Sequence, residues 1–425
     1  MNSTLAAPGI WTDGKRHLWW LGTLPMATPL LSGIFAIITG VQSLWWSGVL
    51  VIFGLIPMID GLLGEDRSNP PETIVPDLEK QTYYRWIIYA CVALMCLSVI
   101  STAWMAVGGI DWIIGGGLLR LSEAWHLQGG LAGLAGFITE RAQVHGSVGW
   151  FTYLGMAMST GAATGIAINI AHELGHKTKP LEQFLAKLAL APTFYGHFFV
   201  EHNRGHHVRV ATPEDPASSR LGESFWSFLP RSVWFSLRSA WHLERERLHK
   251  QGLPTLHWKN TVLTAWLFSV VLWGGLIVWL GATVIPFLVI QGIYGFSLLE
   301  VVNYVEHYGL LRQKLPNGRY ERCSPRHSWN SNRIVTNIFL FQLQRHSDHH
   351  AYPTRSYQAL RHFDESPQLP YGYASMIVWA YVPFLWRRLM DHRVLKHYSG
   401  DVRLANLQPS KRKQLLQQYG SRHTD

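Results

Sequence analysis

Leu181-Glu182-Gln183-Phe184-Leu185-Ala186-Lys187-Leu188-Ala189-Leu190-Ala191-Pro192-Thr193-Phe194-Tyr195-Gly196-His197-Phe198-Phe199-Val200 is the stretch on which the architecture turns. It is long and apolar enough to cross a bilayer, which takes about 20 residues. A crossing, however, would put His172 and His176 on the opposite membrane face from His202, His206 and His207. Lys187 near the middle also opposes insertion, because a charge at bilayer depth is costly. The stretch therefore reads as a helix or hairpin lying in or against the cytoplasmic leaflet, and the histidines stay on one side.

The rest of the chain supplies the spans. Apolar runs cover roughly residues 18–39, 44–63, 83–107, 150–170, 261–280 and 284–304. Charged residues make up only 15% of the chain, against about a quarter in soluble proteins, so a polytopic all-α membrane protein with six transmembrane helices is expected. Residues 108–146 are glycine-rich, with short, broken apolar stretches, and read as an interfacial excursion rather than a span. Residues 1–12 lack a basic segment joined to a short apolar core, so the first span is expected to act as its own signal.

Cys91, Cys96 and Cys323 show no paired spacing, which argues against a disulfide framework or a cysteine-ligated metal domain. Lys and Arg concentrate in residues 201–259 and in the C-terminal region, while the turns after the first and fifth spans carry none. Both termini are therefore expected in the cytoplasm. The expected division is a tail (1–17), a transmembrane domain with a cytoplasmic insert at 201–259 (18–307), and a C-terminal region (308–425) acting as a helical and loop cap.

Histidines cluster at the cytoplasmic ends. His172-Glu173-Leu174-Gly175-His176 places two imidazoles four apart, on one helix face. His202, His206 and His207 repeat the pattern, as do His346, His349 and His350, and His307 closes the sixth span. Nine imidazoles exceed what one ion binds and suit two, and by ligand softness iron, zinc, copper and nickel all remain open. The other histidines read as ordinary interface residues, with His327 undecided. Literally, His172 to His176 is also the H-E-x-x-H zinc-protease pattern, with Glu173 as general base. That alternative leaves the remaining clusters unused. A non-catalytic metal sensor or transporter is a third class.

Several other residues are candidates for roles around the centre. Glu173, Glu201, Asp215, Glu306 and Asp348 interleave with the histidines and are expected to accept the imidazoles' second N–H. Gly161, Gly165 and Ile168 share a face above His172 and could leave an apolar channel towards it, or simply close helix packing. The net charge of +10, with Lys177, Arg204, Arg209, Arg333 and Arg345 near the clusters, suits docking of an acidic partner. No motif supports nucleic-acid binding.

The three boxes resemble the H-x3-H, H-x3-H-H and H-x2-H-H boxes of the membrane-bound di-iron hydroxylases and desaturases. Asn303-Tyr304-Val305-Glu306-His307-Tyr308-Gly309 and Leu343-Gln344-Arg345-His346-Ser347-Asp348-His349-His350 narrow the resemblance to AlkB-type alkane 1-monooxygenases, over about residues 18–400. The resemblance implies two iron ions and a bacterial inner-membrane location. It implies terminal hydroxylation of medium-chain n-alkanes with O2, and electrons from rubredoxin, itself reduced by a rubredoxin reductase with NAD(P)H. Fatty-acid ω-hydroxylases and desaturases share the boxes. Residues 108–146 look longer than the corresponding family connection, and the rubredoxin fused in some relatives is not found in this chain.

Overall fold

The computed structural model describes residues 11–145 and 148–420. The start of the N-terminal tail, Gly146 of the excursion and the last five residues lie outside the described part. Among the described residues the secondary structure is helical, with only isolated bridges such as Asn330 to Gln368.

Six helices are long and apolar enough to span a membrane: α1 (Leu18–Thr39), α2 (Gln42–Leu63), α3 (Thr82–Ile114), α6 (Trp150–Gly175), α9 (Thr261–Leu280) and α10 (Ala282–His307). Gly40 ends α1 in the left-handed region, at φ +73°, which lets the chain reverse directly into α2. α3 runs past the expected end near residue 107, because Val107 and Gly108 kink the helix without ending it. Beyond it, α4 (Gly117–Ala124) and α5 (Gly130–His145) form the excursion; neither meets the length and hydropathy of a span. Arg141 donates to the Ile38 carbonyl at 2.6 Å and ties α5 to the end of α1.

α6 is the central helix, and α10 packs along it. A Cβ on Gly161 would lie 2.8 Å from the Gln291 carbonyl, and one on Gly165 2.8 Å from that of Gly295. Both glycines thus permit close approach of two backbones. The stretch after α6 forms α7 (Pro180–Leu190), whose 11 residues span only about 17 Å, well short of the bilayer core. Phe194, at φ +55°, then turns the chain back towards His202. The Lys187 ammonium reaches the Thr264 hydroxyl at 3.3 Å and lies over the Phe199 ring, 5.5 Å from its centroid.

α8 (Phe225–Lys250) carries exposed Trp226, Trp234 and Phe235. Four further helices cap the bundle: α11 (Ile334–Phe339), α12 (His346–Ala351), α13 (Tyr373–Ala380) and α14 (Pro383–His397), followed by α15 (Arg412–Gly420). Asp60, buried near the end of α2, accepts from the Val335 and Thr336 backbone amides at 2.8 and 3.1 Å. A carboxylate at a helix N-terminus meets otherwise unpaired N–H groups, so Asp60 fixes α11 onto the membrane bundle. The apolar core of residues 373–415 is continuous with that of α10.

Candidate metal centre

The nine clustered histidines converge on two points. His172, His176, His202, His207 and His349 form one group and His206, His307, His346 and His350 the other, with ligand atoms within 4.8 Å of one another in each. α6 contributes its last turn, α10 its last residue and α12 all three of its histidines. Residues Glu201–His206 wind as a wide π turn. An i→i+5 turn brings His202 and His207 to one side and sends His206 to the other, a use of such turns common at functional sites.

The nitrogens face one another in a way protons alone do not satisfy. In the first group the Nε2 atoms form a chain: His172 to His349 at 2.7 Å, His349 to His207 at 3.0 Å, His207 to His202 at 2.9 Å and His202 to His176 at 3.2 Å. Each nitrogen carries either one proton or one lone pair, so at most two of these four contacts can be hydrogen bonds at once. His206 to His350 at 3.2 Å and His350 to His346 at 2.9 Å pose the same problem in the second group. Burial pushes His176, His202, His207, His346, His349 and His350 well below the ordinary imidazole range, leaving them neutral with lone pairs available. A cation at each point would satisfy every lone pair, so the donor set fits two metal ions.

Of the five acids, two touch imidazoles. Asp215 accepts from His206 Nδ1 at 2.9 Å and from the Ser218 hydroxyl at 2.6 Å. Burial works to raise its carboxyl, but His206 and Ser218 hold it down at about 2. Glu306 lies 3.1 Å from His346 Nε2, on the side facing the other imidazoles. The remaining three are engaged elsewhere, which corrects their expected place. Glu173 pairs with Lys177 at 3.1 Å and accepts from the Tyr357 amide, so it is no free general base for peptide hydrolysis. Glu201 pairs with Arg209 at 2.6 Å, and burial raises its carboxyl to about 7. Asp348 accepts from Arg355 at 2.9 Å and from the Arg361 amide. His327 binds Glu321 at 3.2 Å and lies in neither group.

A narrow apolar cavity of about 60 Å³ runs between α2, α6, α10 and α13, lined by Ile52, Ile56, Gly165, Leu298, Val302 and Ala374. Asn169 and Leu343 line both this cavity and a smaller one that reaches His172 and His349. Asn169 is itself spoken for, donating to the Leu340 carbonyl at 2.8 Å. Gly165 borders the cavity, but Gly161 and Ile168 do not: Gly161 packs on α10, and Ile168 is buried in the core.

The pattern of the fatty acid desaturase family matches residues 148–380. Alkane 1-monooxygenase 1 of Alcanivorax borkumensis is 43% identical over 411 residues, 96% of this chain and 92% of that one. Alkane 1-monooxygenase of Acinetobacter baylyi is 41% identical over 415 residues, with the same coverage. That of Ectopseudomonas oleovorans is 40% identical over 411 residues, covering 97% and 93%. The chain belongs to the alkane 1-monooxygenase family. Within this alkane 1-monooxygenase family chain, the cations expected to greet an electron carrier are mostly structural. Arg345 is only 1% exposed and donates to the Leu360, Asp66 and Ser68 carbonyls, so it offers nothing to a docking protein. Lys177 is held by Glu173 and Thr354, Arg209 by Glu201, and Arg333 by carbonyls of Asp60 and Pro370. Arg204 is partly exposed but pairs with buried Glu244 at 2.7 Å. Sequence reading missed Arg355, Tyr357 and Asp60, whose roles arise only from long-range contacts.

Proposed function

We propose that the protein hydroxylates the terminal carbon of medium-chain n-alkanes to 1-alkanols, using O2 and two electrons delivered by rubredoxin. In this stoichiometry one oxygen atom enters the C–H bond, and the other leaves as water with two electrons and two protons. The observation that carries the reading is the apolar cavity that shares Asn169 and Leu343 in its wall with a smaller cavity at His172 and His349. The names of the relatives supply the reaction class.

Acid–base groups do not open an unactivated C–H bond, and two irons held by the nine histidines would supply the O2-dependent oxidation. The chain's own residues do the rest. The imidazoles are buried and neutral, Asp215 fixes the ring of His206, and Glu306 brings a carboxylate to the second group. Because the substrate arrives from lipid, its burial gains little hydrophobic free energy. The cavity therefore selects by shape, admitting a straight chain end-on and keeping water from the site.

We place the protein in the bacterial inner membrane with both termini in the cytoplasm, and rubredoxin on the cytoplasmic face. Val208, which follows His207 and is 64% exposed, and exposed Tyr352, two residues after His350, mark the surface we assign to the carrier. Product analysis with octane, decane and a fatty acid, using reduced rubredoxin and labelled O2, tests the reading. 1-Octanol carrying one labelled oxygen is expected; ω-hydroxylated or desaturated fatty acid without alkanol would replace it.

A further inference from the structure

A polar cavity separate from both histidine groups lies where the cap meets the bilayer. α13 lines the alkyl cavity beside Leu298 and Val302 of α10, so it sits at membrane depth and leaves Val378 exposed. The chain then turns at Tyr381, on which Trp226 of α8 stacks at 5.7 Å while donating to its carbonyl at 2.9 Å. Phe384, 65% exposed, opens α14. Tryptophan and tyrosine gathered at such a turn mark headgroup level.

One turn beyond Phe384, exposed Arg387 and Arg388 line a cavity of about 310 Å³. Lys411 enters it from the opposite wall, its ammonium 2.8 Å from the Gly222 carbonyl, and Gln414 and Gln418 of α15 complete it. Among the described residues neither arginine is in an ion pair within 4 Å; Arg387 donates to the Pro383 carbonyl at 3.4 Å and lies close enough to Asp391 to feel its charge. Asp391, the one acid in the wall, accepts from the Tyr308 and Tyr419 hydroxyls at 2.8 Å and 3.1 Å, and its single carboxyl is outnumbered by the three cations around it. Three cations from two chain segments around one cavity that holds a single carboxyl leave an excess of positive charge, which a further anion would offset. Positive-inside bias explains cations near a membrane, but not their convergence with amides on one cavity beside exposed apolar surface.

We infer that this cavity binds the phosphodiester headgroup of an anionic glycerophospholipid, with Arg387, Arg388 and Lys411 on the phosphate and the acyl chains running along Phe384 and Val378. Free phosphate shares the headgroup chemistry but makes no use of that apolar surface. The bound lipid would brace α13, and with it one wall of the alkyl cavity.

The test is native mass spectrometry of the full-length protein in neutral detergent, titrated with phosphatidylglycerol, with phosphatidylcholine, or with inorganic phosphate. The wild type is expected to retain one phosphatidylglycerol in preference to phosphatidylcholine, with millimolar phosphate failing to displace it. Arg388→Gln, whose side chain makes no hydrogen bond among the described residues, should weaken retention about fivefold, and the double variant with Lys411→Gln more. Arg412→Gln, the same charge change outside the cavity, should leave it unaltered. Equal retention of both lipids, unchanged retention in Arg388→Gln, or displacement by phosphate alone would each overturn the inference.

Discussion

Asp215→Asn keeps the shape of the side chain beside His206 and removes its charge. In the folded protein the Asp215 carboxyl sits at about 2, against an ordinary 3.8, with His206 the principal stabilising neighbour. That net difference is worth about 2 kcal/mol; it is what His206, Ser218 and His307 together leave after the opposing effect of burial, and it sets the scale of the support that the carboxylate gives His206. Losing it should weaken metal binding by about 30-fold, within the range typical when the partner of a ligating histidine is removed. The effect should fall on one ion alone, because His206 belongs to the four-histidine group and none of the other five ligands contacts Asp215. Anaerobic ferrous titration of metal-depleted protein reads this directly, with circular dichroism to check the fold. Two binding events are expected, of which one moves. If the variant binds both ions as tightly as the wild type, or weakens both equally while folded, the separation into two groups and the role of Asp215 are refuted.

Ala374→Phe should narrow the alkyl cavity and shift the product profile towards shorter alkanes, with metal content unchanged, as gas chromatography of competing substrates would show. Glu244 has a buried carboxyl that burial works to raise, but Arg247, the Thr261 amide and Arg204 hold it at about 2. Its depressed value contributes about 3 kcal/mol above its ordinary value of 4.5, lost as pH falls from 4.5 towards 2. Glu244→Gln should therefore lower the melting temperature at pH 7 and flatten its acid dependence between those values. Val208→Glu should raise the KM for rubredoxin several-fold and leave kcat and metal content nearly constant; an unchanged KM would remove that face from the docking surface.

Much of the architecture follows from patterns that act locally. Uniform hydropathy marks each span to within a few residues, and α3 overshoots only because Gly108 kinks a helix that glycine content suggested would stop. The non-crossing of residues 181–200 was legible because histidines on both sides needed one compartment. The partition of the histidines was not, since spacing says which rings share a face but not that a π turn separates His206 from His202 and His207. Nor could sequence tell which acids face imidazoles. Glu173, Glu201 and Asp348 lie as near the boxes as Asp215 and Glu306 do, yet Lys177, Arg209 and Arg355 take them, and Arg355 reaches Asp348 only through the loop after α12. Arg345 looked like surface charge because composition does not reveal three backbone carbonyls waiting in the cap.

The central proposal is that the nine histidines, in their two groups, hold two irons, one in each. Metal analysis of the purified, active protein beside His307→Ala tests it most directly, since His307 serves the four-histidine group alone. About two irons per chain in the wild type, falling to about one in the variant with alkane hydroxylation lost, is the predicted result. A single zinc per chain, or two irons retained in a fully active His307→Ala, would contradict the account.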